Sequence, residues 1–170
     1  MQQISGKAFI FGNNIDTDQI YPGRYLELVE PEEIAAHCLE GANPDFAKEV
    51  SKGDIVVAGK NFGCGSSREH AAIALVHAGV GAVVAESFAR IFYRNAINLG
   101  LAVLVCPEIT SKVNEGDFLE VNLEEGMVYN KTSGESIQGE KLSEYIMDIL
   151  SSGGIKPLFR KMTAQMEDAK

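Results

Sequence analysis

Apolar and polar residues alternate in blocks through the middle of this chain, and the blocks predict its elements. Ile55-Val56-Val57-Ala58 is a short apolar run ending at Gly59, which predicts a strand over residues 54–58. Residues 69–78 then read as a helix, 82–85 as a strand, 88–98 as a second helix and 101–106 as a third strand. Gly79 and Gly100 fall just past the two helices, where left-handed C-caps form. Ser87 is a natural N-cap for the second helix. A β-α-β-α-β order implies parallel strands with right-handed crossovers.

The flanks have a different pattern. Pro31 suits a first helical position, Glu32 and Glu33 suit the positive helix end, and Gly41 suits the stop, so a helix is expected over 31–40. Asn43-Pro44-Asp45 marks a loop. Phe118-Leu119-Glu120-Val121-Asn122-Leu123 and Met127-Val128-Tyr129 flank Glu124-Glu125-Gly126, which reads as a hairpin. Residues 142–150 predict a short amphipathic helix closed by Ser151-Ser152-Gly153-Gly154. From about residue 158 the chain is polar and charged, and a flexible tail is expected there. With 170 residues and no internal repeat, the whole chain reads as one domain with a real core.

Composition narrows the classes of function. A formal charge of −9 argues against a nucleic-acid surface, because phosphate neutralisation needs local basicity. No apolar run approaches the ~20 residues needed to span a bilayer. The first residues lack the apolar region of a signal peptide, so a cytoplasmic protein without membrane contact is the expectation. Cys38, Cys64 and Cys106 lie far apart with no C-x-x-C, so neither a zinc site nor an iron–sulfur ligand set is legible, and no metal ligand is assigned. Cys38 and Cys106 read as buried core residues, and Cys64 as a small space-filling residue.

Cys64 belongs to the most informative segment, Gly59-Lys60-Asn61-Phe62-Gly63-Cys64-Gly65-Ser66-Ser67-Arg68-Glu69-His70. Three glycines, two serines and an arginine crowd a strand-to-helix turn. Glycine permits a positive φ and close backbone approach to a ligand, the helix N-terminus favours an anion, and Arg68 can grip a carboxylate with two bonds. The P-loop does not fit, since Lys60 lies on the wrong side of the glycines. The dinucleotide fingerprint fails where Arg68 replaces the third glycine, and no G-x-S-x-G elbow occurs. Ser66 and Glu69 stand at capping-box spacing. From the residues alone Ser66 is therefore either a helix cap or a reactive hydroxyl. Asp16 and Asp18 can be read as turn residues. His37 and His77 have no partners at metal-ligand spacing.

The stretch from Phe62 to Ala71, with Ser87-Phe88-Ala89-Arg90-Ile91-Phe92-Tyr93-Arg94-Asn95 and the early Asp16-Thr17-Asp18-Gln19-Ile20, Pro22 and Tyr25-Leu26, resembles the aconitase superfamily's swivel domain. It is most similar to the separate small subunits of 3-isopropylmalate dehydratase and homoaconitase. The resemblance runs from about residue 6 to about residue 161. It implies a swivelling β/β/α fold, with hairpin strands beside the parallel α/β core. It also implies a hydro-lyase that works only with a large subunit carrying a [4Fe-4S] cluster, this chain binding no cofactor itself. In that chemistry the cluster is a Lewis acid for the departing hydroxyl.

By the same resemblance, Ser66 takes the proton next to a substrate carboxylate, Arg68 holds a carboxylate, Ser67 donates a hydrogen bond to substrate, and Asp18 orients the arginine or the serine. His70 is expected in a structural hydrogen bond at the helix start, and Arg90 and Arg94 in packing or a subunit contact. Leu26, Glu27 and Leu28 fall in the loop that faces the variable arm of the substrate. Homoaconitase-type subunits place an arginine where this chain has Glu27. A carboxylate there disfavours a tricarboxylic substrate, and Leu28 and Val29 suit an apolar arm. The substrate expected is 3-isopropylmalate, on the path to leucine, with 2,3-dimethylmalate ahead of homoaconitate as the alternative. A self-sufficient anion- or nucleotide-binding module is the reading from another class.

Overall fold

The computed structural model describes residues 3–168. Seven strands form one mixed sheet: β1 (Gln3–Ile10), β2 (Ile55–Ala58), β3 (Ala82–Ala85), β4 (Ala102–Val105), β5 (Phe118–Asn122), β6 (Met127–Asn130) and β7 (Ser136–Gln138), in the order β4-β3-β2-β1-β5-β6-β7. Strands β1 to β4 are parallel, with Phe9 opposite Val56, Val56 opposite Val83 and Val83 opposite Val103. On its other edge β1 pairs antiparallel with β5, and β6 and β7 follow antiparallel. β1 therefore joins the two halves of the sheet.

The parallel half has the expected elements. Helix α4 (Glu69–His77) connects β2 to β3, and α5 (Arg90–Asn98) connects β3 to β4. Residues of β2 and β3 are wholly buried, as Val/Ala runs inside a parallel sheet should be. Gly79 and Gly100 adopt positive φ of 93° and 86°. The 118–129 hairpin is present as β5 and β6, and α7 (Glu144–Ser151) starts at Ser143, whose side chain caps Ile146 N–H.

Two expectations are corrected. The second helix begins at Arg90 rather than at 88, and Ser87 does not cap it. Residues 87–89 are instead drawn out beside Phe62: Phe62 N–H donates to the Ser87 carbonyl (3.1 Å) and Ala89 N–H to the Phe62 carbonyl (2.9 Å). The 31–40 helix is regular only as α2 (Pro31–Ala35). Beyond it Leu39 N–H turns to the Ile20 carbonyl and Gly41 N–H to the Gln19 carbonyl, with Leu39 at φ 56°, so tertiary bonds replace the helical ones. β1 carries no sequence signal as clear as that of β2, because Ser5, Gly6 and Lys7 interrupt its apolar residues. The last helix, α8 (Ile155–Asp168), has Leu158 buried.

The remaining helices are one turn each: α1 (Thr17–Ile20), α3 (Phe46–Glu49) and α6 (Ile109–Lys112). Two buried polar groups fasten loops to the sheet. Asp54 accepts Lys7 N–H at 3.0 Å and Ser51 N–H at 2.8 Å. Asn130 bridges Asp117, the Lys112 carbonyl and the 132–133 backbone. Both are satisfied, as burial requires.

Candidate active site

The turn after β2 is held between the segments that follow β1 and β3. Gly63 N–H donates to the Ile15 carbonyl (2.7 Å) and Thr17 N–H to the Cys64 carbonyl (2.8 Å), so residues 15–17 run alongside 63–65. Phe62 is buried and meets Phe92 edge-on, with ring centroids 5.2 Å apart. Gly63, at φ 85°, lies where an added Cβ would come within 2.3 Å of Phe92 Cγ and 2.4 Å of its Cβ. Gly65, at φ 102°, lets the chain pass Thr17, whose hydroxyl would lie 3.3 Å from an added Cβ. The site thus forms beyond the carboxyl ends of neighbouring parallel strands, where open α/β sheets place their ligands.

Ser66 does not cap the helix. α4 starts at Glu69 with Arg68 as its N-cap residue and no side-chain cap, so the capping-box reading is overturned. The Ser66 hydroxyl instead lies 3.2 Å from the hydroxyl of buried Thr17. Ser66 and Ser67 are both exposed, and Ser67 precedes the helix. Thr17 belongs to α1, whose N-cap is a complete capping box: Asp16 accepts Gln19 N–H, and Gln19 accepts Asp16 N–H. Asp16 is thus a helix cap, and Thr17 is the contact that the sequence did not signal, 49 residues away from Ser66.

Arg68 is anchored by one end. Its Nη1 donates to Asp18 Oδ1 at 3.1 Å and to the Tyr21 carbonyl at 2.9 Å, and its side chain is 18% exposed. Nη1 is the guanidinium nitrogen committed to these bonds, which leaves the fork's other donors for a ligand. Asp18 Oδ1 also accepts Gly23 N–H at 2.8 Å. The Gly23 bond, then the Arg68 bond, hold the Asp18 carboxyl below its ordinary 3.8, so it is ionised at neutral pH. Gly23 has no side chain to crowd the guanidinium; a Cβ there would lie 3.6 Å from Nη2. His70 makes no helix-start hydrogen bond and stacks on Tyr21 instead, with centroids 5.4 Å apart.

The segment with Leu26, Glu27 and Leu28 follows a 3-10 turn at Gly23–Tyr25. Tyr21, its phenol pushed up by burial, donates its hydroxyl proton to the Tyr25 carbonyl. The Tyr25 ring lies on His37 at 3.6 Å. His37 Nδ1 and Glu40 Oε2 face each other at 3.4 Å without hydrogen-bond alignment, and Arg24 approaches the same oxygen at 3.5 Å. The base of the loop is therefore fastened, while Leu26 and Glu27 are exposed and Leu28 is half-buried against the core.

Residues 5–108 match the aconitase C-terminal domain family. The chain belongs to this family, in its 3-isopropylmalate dehydratase small-subunit branch. Among relatives of this branch, an "isopropylmalate/citramalate isomerase small subunit" of Methanocaldococcus jannaschii is 57% identical over 164 residues, covering 96% of this chain and 98% of that one. A "3-isopropylmalate dehydratase small subunit 1" of Methanopyrus kandleri is 55% identical, covering 93% of each. The crystal structure of a 3-isopropylmalate dehydratase (LeuD) of Methanocaldococcus jannaschii superposes with a TM-score of 0.95 at 40% identity, over 99% of this chain and all of that one. The family match covers β1 to β4 and the Ser66–Arg68 turn, and the structural match takes in the hairpin half and α8 as well.

A cluster would need a ligand set. Among the described residues no three His, Cys, Asp or Glu side chains gather where a metal could sit, and Cys38 and Cys106 are buried apart. No role in holding an iron–sulfur group is assigned to the described residues. No helix among the described residues is long and apolar enough to cross a membrane.

Proposed function

We propose that this chain is the small subunit of a two-subunit hydro-lyase that interconverts 2-isopropylmalate and 3-isopropylmalate, in leucine biosynthesis. The [4Fe-4S] cluster of such an enzyme would be carried by a large partner subunit. The observation that carries the reading is the open presentation of the turn: Ser66, Ser67 and Asp18 are exposed, beside an arginine with free donors. A serine hydroxyl works as a base only where water is excluded and its charge is stabilised. An exposed Ser66 therefore needs a second surface to close over it, which is what a small-subunit role supplies.

In this reading the free edge of Arg68 takes a substrate carboxylate and Ser67 donates a hydrogen bond to it. Ser66 removes the proton from one carbon as hydroxide leaves the adjacent carbon, giving the alkene; in rehydration it delivers a proton to the carbon that lost hydroxide while hydroxide adds to the carbon that lost the proton. Asp18 positions the guanidinium without touching substrate. Leu26 and Leu28 line the side of the apolar arm, and the exposed Glu27 sets the loop against a third substrate carboxylate.

The smaller citramalate is the second substrate to consider, because the Methanocaldococcus relative is named for both acids. The chain mixed anaerobically with its large subunit should gain an activity that dehydrates and isomerises isopropylmalate and that neither protein has alone. Specificity constants for isopropylmalate, citramalate, dimethylmalate and homoaconitate should rank the first highest. Activity of the iron-free single chain, or a preference for homoaconitate, contradicts the assignment.

A further inference from the structure

The segment that carries Leu26, Glu27 and Leu28 rests on a contact whose polar atoms are buried and unpaired. His37 Nδ1 and Glu40 Oε2 are both shielded from solvent without a hydrogen bond, 3.4 Å apart. A buried polar atom left unpaired is costly, and native folds keep few of them. The side that holds these two groups is fixed. Leu39, wholly buried at φ 56°, gives its N–H to the Ile20 carbonyl at 2.7 Å, which ties the turn to α1 and so to Thr17 and Asp18. The other side is the base of the loop. The Tyr25 ring lies on the His37 imidazole with the planes 11° apart, and its hydroxyl reaches Glu40 Oε1 at 3.5 Å. Arg24 lies over the Tyr25 ring and approaches Glu40 Oε2. Tyr25 passes its placement on in two directions. Its carbonyl accepts the Leu28 N–H at 3.1 Å and also the Tyr21 hydroxyl proton. The Tyr21 carbonyl in turn accepts a bond from Arg68 Nη1.

We propose that, with Arg68 and Leu28 in the roles proposed above, His37 and Glu40 are positioning residues for substrate specificity. By seating Tyr25 they set how far Leu28 stands from Arg68, and with it the length of apolar arm that the site accepts. The imidazole is the platform, and the carboxylate holds the phenol and the guanidinium over it. Neither residue touches substrate. In an apolar pocket one methylene of misfit is worth roughly 10–200-fold in discrimination, so a small displacement of Leu28 is enough to change the preference.

2-Isopropylmalate and citramalate share a malate frame and differ only in the arm, isopropyl against methyl, so their ratio is the measurement. In the two-subunit enzyme, His37→Ala and Glu40→Ala should each lower kcat/KM for isopropylmalate about tenfold relative to citramalate, measured as alternative substrate or competitive inhibitor. The loss should appear in KM. His37→Phe keeps a ring under Tyr25 and should restore the ratio. A general loss of folded enzyme lowers both acids together and leaves the ratio alone. In the full chain without its partner, hydrogen exchange of the Leu28 amide should be faster in both alanine variants than in wild type and His37→Phe, with the β2 and β3 amides as protected as before. A wild-type enzyme inactive on isopropylmalate whose Leu28 amide responds in this way sinks the substrate assignment and supports the seating of Leu28. Normal activity with an unchanged ratio, or a Leu28 amide indifferent to all three changes, overturns the proposal.

Discussion

Ser66 and Arg68 stand two positions apart and have opposite environments, one exposed with a single hydroxyl neighbour, the other fastened by one end of its fork. In the proposed roles their substitutions separate. Ser66→Ala should lower kcat by roughly two to four powers of ten with little change in KM, since a proton acceptor acts in the transition state. Arg68→Lys should raise KM as well, because an ammonium cannot reproduce the two-bond grip. Steady-state kinetics of the two-subunit enzyme checks both. Thr17→Val removes the hydroxyl beside Ser66 and should cost about tenfold in kcat, the worth of one ordinary hydrogen bond. Asp18 gives the pH dependence. Its carboxyl is lowered below 3.8 in the fold, so its contribution is complete above 3.8 and is lost as pH falls through the lowered value. Asp18→Asn should therefore weaken substrate binding near neutral pH, and acid titration should show wild type approaching the variant below that point.

At the scale of elements, the glycines of the turn divide between packing and function. Gly63→Ala meets the Phe92 ring at a φ of 85° and should destabilise the domain by about 2–4 kcal/mol in urea unfolding. Gly12→Ala, with no atom within 4 Å of the added Cβ, should leave stability unchanged and serves as the control. Gly65→Ala is strained by its φ and crowds the Thr17 hydroxyl, so activity should fall further than stability. The parallel elements were legible because each strand and each helix of that half is a separate apolar block. The start of α5 was not, since the pairing of 87–89 with Phe62 joins residues distant in sequence.

The whole molecule leaves its candidate site on an open face, and in the proposed reading the isolated chain is inert until a partner covers it. Its thiols report on the same packing. Burial pushes Cys38 up and Cys106 up to about 11, so neither is a thiolate at neutral pH. Cys64 is half-exposed in the turn. Titration with a thiol reagent at pH 7 should therefore find Cys64 reacting quickly in the folded chain, and Cys38 and Cys106 only after unfolding. Cys64→Ala should leave the iron–sulfur signal of the proposed two-subunit enzyme unchanged, as no three ligand-type side chains gather among the described residues.

The local sequence determined whatever depends on neighbours along the chain. The alternating blocks define β2 to β4 with α4 and α5, the glycine-rich turn marks a candidate anion site, and the family motifs carry the candidate residues. The tertiary structure decided what depends on contacts between distant segments. β1 became the strand shared by both halves of the sheet because β2 and β5 complete its hydrogen bonds on either side. Ser66 left the helix cap for Thr17, and Arg68 found Asp18 and the Tyr21 carbonyl 50 and 47 residues away. Hydrogen bonds and packing at such separations leave no periodic trace in a sequence, and they are what turn a strand-to-helix connection into a site.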